Sequence, residues 1–449
     1  MFQLFLQIKQ KLTSNLILKN TLIITGFYFL SRILGFLRNF VSYHKLPILE
    51  ADLLLNANKI PEFFLNLLVM STIASSLLPI ASRLKNNPIK YNTFLSVFLI
   101  LVTCILSVLT LAVMFFTEPI MRGFTSPEIW SKVLATDNKE AYLWTTRILS
   151  LSVLTFAIQA IFGVILTIKK NFIAYSSVTL IFNFSTILGI YFSEGNFFKV
   201  AIATTAGFIL GNIFFIWQGL KTGYTWSLDW DTIVEIQADI NKVFLNMLPR
   251  IFILDGLFIA TLILTLIQTK EGQGTAFDNS TSIQNAFFII ISSFATVLFP
   301  NLTEILHKDR ENGKSAFMPY FYKYLKVAAL TGAIVSVVAY FGVYGAVWLF
   351  EIAGKGQNLG ANMVQLVQVS AIFIFFRALK EIMSRYFYAK EKTWQLLILS
   401  TFSLACQLIG IAILQNFGVA SDTNVSISLV VSYLSWDLMA YYMIVKAEQ

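Results

Sequence analysis

The sequence predicts an all-α, polytopic membrane protein of about twelve transmembrane helices in two six-helix halves. Three observations carry this: long apolar blocks, basic residues confined to alternate loops, and an internal repeat. Of the 449 residues, 57% are hydrophobic and 13% charged, and the mean hydropathy is +0.71. A soluble domain of this size carries about a quarter charged residues. Several apolar blocks reach the ~20 residues that a spanning helix needs, and Phe94 to Phe116 contains no charge at all.

In chain order, helices are expected at about 20–45, 52–83, 92–117, 142–168, 171–193, 197–219, 243–269, 276–307, 322–350, 363–389, 393–415 and 424–446. Pro61, Pro79 and Pro300 interrupt the second and eighth, which membrane helices tolerate because neighbours re-satisfy the freed carbonyls. Met1 to Asn20 carries lysines without a cleavage site after a short apolar stretch. The first block therefore reads as a retained helix rather than a signal peptide.

With the N-terminus in the cytoplasm, alternate loops carry Arg83, Lys85 and Lys90; Lys169 and Lys170; Lys221 and Lys242; Lys308, Arg310 and Lys314; and Arg385, Lys390 and Lys392. The remaining loops are mixed or poor in bases. This is the positive-inside pattern, and it places both termini in the cytoplasm. The formal charge of +9 belongs to membrane orientation and not to nucleic acid.

Leu77-Leu78-Pro79 recurs as Leu298-Phe299-Pro300, and Lys169-Lys170-Asn171 as Lys390-Glu391-Lys392, each displaced by 221 residues. The repeat predicts two parallel halves: an N-terminal lobe at 1–225 and a C-terminal lobe at 245–449. Between them, at 226–244, Ile233, Ile236, Ile240 and Val243 recur at helical spacing, with Asp229, Asp231, Glu235 and Asp239 on other faces. An amphipathic linker helix along the cytoplasmic interface fits.

Ionisable groups inside helices carry the functional signal, because a charge at the bilayer centre costs roughly 2.5–3.5 kcal/mol on insertion scales. Arg32 lies near the middle of the first helix, with Arg38 about two turns beyond. Asp52, Asn56 and Lys59 share one face of the second helix, and Glu62 is placed to pair with Lys59. Arg250 and Asp255 enter with the seventh helix. Arg377, Lys380 and Glu381 lie in the tenth, where Arg377 and Glu381 have pairing distance in sequence, while Arg385 and Arg147 snorkel to an interface. Arg32, Arg38, Lys59 and Arg250 are the expected substrate-binding residues; Arg38 with Asp52 forms a gate; Asp255, Arg377 and Glu381 form a second-lobe polar site. A cavity so lined suits an anion, since arginine makes paired hydrogen bonds to phosphate oxygens.

Ser31-Arg32-Ile33-Leu34-Gly35-Phe36-Leu37-Arg38, then Ala51-Asp52, Lys59-Ile60-Pro61 and Leu77-Leu78-Pro79, resembles the MurJ (MviN) family of lipid II flippases. Weaker similarity continues through Leu298-Phe299-Pro300 and Tyr386 to Lys392. The resemblance implies the fold of the multidrug, oligosaccharidyl-lipid and polysaccharide exporter superfamily, whose two lobes rock around a central cavity. It implies export of undecaprenyl-pyrophosphate-linked peptidoglycan precursor, lipid II, from inner to outer leaflet by alternating access. Peptidoglycan biosynthesis and cell shape are the processes served, and membrane lipids and cell-wall synthases the expected partners. The family's essential first-helix arginines match Arg32 and Arg38, and its second-helix aspartate matches Asp52. Where family members carry a basic pair after the second-helix proline, this sequence has Leu65 and Asn66. The eighth-helix arginine gives way to polar residues around Thr281 to Asn285, and the usual last pair of about fourteen helices is missing. The family's sodium-binding acids are matched by Asp255 alone, so no metal site and no cofactor are expected.

A flippase for another polyprenyl-linked oligosaccharide is the alternative reading. A membrane glycosyltransferase or acyltransferase would need loop carboxylates or a catalytic histidine. His44 and His307 stand near helix ends without an acid motif, so no enzyme is expected. A non-transporting scaffold is the third reading. Cys104 and Cys406 lie within apolar blocks and read as core residues.

Overall fold

The computed structural model describes residues 26–448 except 28, 32, 36, 39–40, 42–44, 66–73, 137, 252–255, 268–272, 313–315, 353–356 and 391. The described residues between 26 and 41 are all helical. The helices that follow are α1 (Ile48–Phe64), α2 (Ala74–Leu84), α3 (Pro88–Phe115), α4 (Thr117–Phe124), α5 (Pro127–Ala135), α6 (Lys139–Ser150), α7 (Ser152–Ile168), α8 (Phe172–Phe192) and α9 (Phe197–Lys221). The chain continues through α10 (Trp230–Glu235), α11 (Gln237–Ile251), α12 (Gly256–Ile267), α13 (Gln273–Asn312), α14 (Phe317–Ile352), α15 (Gln357–Ala389), α16 (Thr393–Asn416) and α17 (Ser421–Glu448). Among the described residues there is no strand.

Local chemistry explains the boundaries. Asn87 caps α3 by accepting from the amide of Lys90, with Pro88 at the first helical position. Asn171 caps α8 and Asn196 caps α9 in the same way. Between those two helices, Glu194 and Gly195 both take positive φ, which lets the chain reverse within a few residues.

Seven described helical spans are long and apolar enough to cross a membrane, α6 and α7 counting as one. Their outer faces are apolar and exposed, as at Val108, Ile213, Leu330 and Ile409. Tryptophans stand near both ends of the spans: Trp217, beneath the Lys221 ammonium at 3.6 Å, and Trp394 at one end, Trp144 and Trp348 at the other. This is the aromatic placement of a membrane protein. The helices outside the seven include α1, α13 and α15, which carry ionisable residues.

Helices α1 to α9 pack mainly on one another, as do α12 to α17. Each half holds two apolar cores, centred on Phe94, Phe98 and Phe156 and on Leu53, Met121 and Tyr142 in the first half. In the second they centre on Phe321, Tyr386 and Trp436 and on Phe373, Ile374 and Tyr433. The 221-residue repeat recurs in the structure: α7 and α15 end at 168 and 389, and α8 and α16 begin at 172 and 393. The halves meet through α1 against α12 and α13, α4 against α12, and α11, which touches both α2 and α16. Leu78 of α2 packs against a core of each half, the second containing Leu298 and Phe299.

Two expectations change in detail. The stretch at 118–141, left between the third and fourth expected helices, is not a plain loop but holds most of α4 and all of α5. The linker is not one helix: it breaks at Ile236, and its second part runs on as α11 toward the core. The acids of that linker face bases of the first half, Glu235 pairing with Lys90 at 2.7 Å and Asp239 with Arg83. Behind them, Tyr224 and Ser227 bond to Ser96, Ser227 also to Thr93, and Thr225 to Asn92, so the segment is stitched along the start of α3.

Within the first half, α8 and α9 approach so closely that a Cβ added at Gly189 would fall 1.9 Å from the Cβ of Ala203. Small residues allow this in a membrane, where van der Waals packing holds helices together. Gly189→Ala is therefore expected to cost about 1–3 kcal/mol through overpacking. The measurement is the Tm of the detergent-purified protein, and an unchanged Tm would contradict the close approach.

Candidate functional site

Pro47 precedes α1, and the buried face of that helix carries Asp52, Asn56 and Lys59, exposed by 1%, 2% and 3%. The sequence placed these three on one face, and the structure buries all of them. Asp52 and Asn56 face the first half, where both act on the hydroxyl of Tyr142, itself bonded to Thr125 at 2.8 Å. Lys59 lies 11 residues past the start of α1, roughly 16 Å into the bundle, and turns toward the other half.

The Lys59 ammonium donates to Glu62 Oε2 at 3.0 Å and to Asp278 Oδ1 at 3.4 Å. Glu62 also accepts from Asn58 at 2.9 Å. Asp278 sits five residues into α13, so this ion pair ties one half to the other at the end opposite the basic loops. The pairing of Lys59 with Glu62 follows the helical spacing anticipated for it. Asp278 was missed by the sequence reading; its signal is a lone carboxylate in the polar stretch that opens the eighth expected helix.

Arg38 comes from the helical segment 26–41 and lies 5.8 Å above the ring of Phe182 on α8. With Asn58, Glu62, Phe182, Asp278 and Asn279 it lines a cavity of about 110 Å³. The carboxylates of Asp278 and Glu62 act electrostatically on it. The cavity wall therefore holds the Arg38 cation beside two carboxylates, and Lys59, paired with both carboxylates, brings the charges into balance. Arg32, Asp255 and the side chain of Arg250 lie outside the described residues.

The second-lobe site resolves differently from expectation. Glu381 pairs with Arg385, one turn on, rather than with Arg377. An acid four residues before a base is the favoured order on a helix, and Arg377 before Glu381 is the reverse. Arg385 is accordingly held within the bundle, 5.8 Å from the ring of Phe299, instead of reaching for an interface. Arg377 donates to Asn285 Oδ1 of α13 and lies 4.2 Å above the ring of Phe288. Asn285 is seven residues, about 10 Å, from Asp278 and on almost the same face of α13. The arginine that the eighth-helix region lacks in sequence is thus supplied to that helix by α15.

The profile of the lipid II flippase family MurJ matches residues 49–449. The chain belongs to the lipid II flippase family MurJ. Among solved structures, a lipid II flippase MurJ in an inward closed conformation superposes with a TM-score of 0.72 at 17% identity, over 94% of this chain and 87% of that one. A MATE transporter in complex with MaL6 gives 0.73 at 14% identity, over 96% and 97%. A MOP superfamily transporter from Pyrococcus furiosus gives 0.71 at 14%, over 96% of each chain. These likenesses show the fold alone. Comparison with curated proteins finds no match. The MurJ family makes this chain a multi-pass membrane flippase for lipid II.

Removing one member of a buried ion pair leaves the other charge uncompensated and costs about 3–5 kcal/mol where burial is complete. Asp278 and Glu62 retain side-chain exposures of 25% and 35%, so the cost here is smaller. Lys59→Met is expected to loosen the contact between α1 and α13. Cysteines placed on facing positions of those helices should then cross-link at least several-fold more slowly, and the exchanged pair Lys59→Asp with Asp278→Lys should recover the rate. Equal cross-linking in all forms would show that the ion pair does not hold the halves.

Proposed function

We propose that Arg32, Arg38, Lys59 and Arg250 receive the pyrophosphate of lipid II while its polyprenyl tail stays in the surrounding lipid. The observation that carries this reading is the Lys59 ammonium shared between Glu62 of one half and Asp278 of the other. The lobes are taken as residues 1–225 and 245–449, joined by a linker at 226–244. The basic-loop end is cytoplasmic, as are both termini, and the end closed by Lys59 and Asp278 is periplasmic.

The mechanism follows from competition for the same cations. With the site empty, the carboxylates neutralise Arg38 and Lys59, so the charges remain satisfied inside the membrane. A pyrophosphate entering from the cytoplasmic side offers more negative charge and more acceptors than a carboxylate, and arginine binds it in a paired fashion. As the anion takes Lys59, Asp278 loses its partner and the tie between the lobes weakens. The periplasmic end can then open. Substrate drives this change because it binds one arrangement better than the other, the only way a ligand shifts an equilibrium. After release, the carboxylates reclaim the cations and the end closes. Asp52 supports this site from behind and forms the gate with Arg38. Arg377, held against α13, extends the basic lining into the second lobe, with Asp255 as its acidic neighbour. Cell-wall synthases that consume lipid II are the partners this activity calls for.

The test is rescue of a bacterium whose own lipid II flippase can be switched off, read as lipid II reaching the outer leaflet. The native chain should rescue. Each of Arg32→Ala and Arg38→Ala should lower flipping about tenfold to a hundredfold, the equivalent of losing a charge-assisted contact of about 1.5–3 kcal/mol, with insertion unchanged. Normal flipping by either variant would remove that arginine from the path. Failure of the native chain to rescue, despite insertion, would reassign the substrate to another polyprenyl-linked oligosaccharide.

A further inference from the structure

The second half contains a carboxyl group that the flipping mechanism does not use. Asp437 lies on α17, 5% exposed, and among the described residues no hydrogen-bond donor reaches either of its carboxyl oxygens. It follows Trp436 directly and stands one turn beyond Tyr433, and both aromatic residues are buried in the cores of this half. Across from it on α15 is Lys380, whose ammonium lies 4.2 Å from the centre of the Tyr433 ring and 5.7 Å from that of Trp436. Lys380 acts electrostatically on Asp437 from there.

Among the described residues, the other charges near α17 are accounted for. Neither α12 nor α16, which pack against α17, carries a charged side chain. On α15, Arg377 is turned to Asn285 of α13, and Glu381 is paired with Arg385. Asp278, on α13, is committed to Lys59. On α17 itself, Glu448 bonds to Tyr386 and Lys390 at the basic end. Asp437 is 11 residues from Glu448 on nearly the same face, about 16 Å away, and fully buried Ala440 and Ile444 lie between them.

A lone carboxylate in such a place would forfeit several kcal/mol of hydration without a hydrogen bond in return. A proton removes that cost, and a nearby lysine makes the balance between loaded and unloaded forms close enough to shift with conformation. We propose that Asp437 is a reversible proton-binding site of the second half, with Lys380 as the positioning charge that governs its loading. The proton adds to one carboxylate oxygen to give the neutral acid and leaves as that oxygen recovers its charge; no other bond changes. A movement of α15 against α17 that brings the lysine closer releases the proton, and one that draws it away reloads the acid. The site itself stands apart from the substrate reading, and only its use in coupling rests on that reading.

The experiment is infrared difference spectroscopy of the full chain in lipid bilayers, followed through a pH titration, on native protein and the Asp437→Asn, Asp437→Glu and Lys380→Met variants. Native protein should show the carbonyl stretch of a protonated, weakly hydrogen-bonded carboxylic acid that titrates as one group. Asp437→Asn should lose that band, Asp437→Glu should keep it at a shifted frequency, and Lys380→Met should move its midpoint toward higher pH. Helical content and Tm identify any variant that has failed to fold, and the native and Asp437→Glu spectra then decide alone. A native spectrum without a titrating band, or a band that survives in folded Asp437→Asn, would overturn the site. Flipping in proteoliposomes, measured against pH, reports coupling separately: its pH dependence should flatten in Asp437→Asn. Loss of all flipping by the native chain would count against the substrate reading and leave the infrared result intact.

Discussion

An ammonium group with almost no exposure, held between carboxylates from two halves of one chain, sets the terms for the rest of this structure. Lys59 could not sit in lipid alone, and the acids that make its position tolerable come from α1 and α13. The two halves therefore meet at Lys59. That meeting sets the charged helices α1 and α13 apart from the seven strongly apolar spans, whose exposed side chains include Val108, Ile213, Leu330 and Ile409. It also explains a cavity whose charges cancel: a net positive pocket would have to hold counter-ions in a medium that gives them little hydration.

The contacts between the halves differ in kind at the two ends. Toward the loops poor in bases the contact is ionic, through Lys59 and Asp278. Toward the basic loops it is apolar, through Leu78, which belongs to the cores of both halves at once. Leu78 and Phe299 occupy equivalent places in the 221-residue repeat, so the motif that reveals the duplication in sequence also lies where the duplicated halves touch. An ionic contact can be exchanged for another anion, whereas an apolar one has only lipid or water to exchange for.

Much of this was legible in the sequence because a bilayer restricts what a helix can be. The apolar blocks gave the spans, and the repeat gave helix ends that agree at 168 with 389 and at 172 with 393. The face bearing Asp52, Asn56 and Lys59 followed from helical spacing alone. What could not be read were choices among partners that sequence leaves equivalent. Glu381 had a base on either side at helical spacing, and only packing selected Arg385. Asp278 lies 219 residues from Lys59, and nothing local marks that pairing. The helices α4 and α5 were too short and mixed in composition to stand out from a loop.

The stitching of residues 224–239 to α3 has a mechanical meaning. Through Ser96, Thr93, Asn92, Lys90 and Arg83, that stretch is fastened to the first half and must travel with it. The covalent joint between the halves is thus displaced along the chain to α11, whose start is clamped by Arg83 and which also rests on α16. A beam fixed at one end and leaning on a neighbour behaves as a cantilever. Any movement of one half against the other would have to bend this helix against its own hydrogen bonds. The linker would then do more than keep the halves on one polypeptide: it would act on any such movement as a spring.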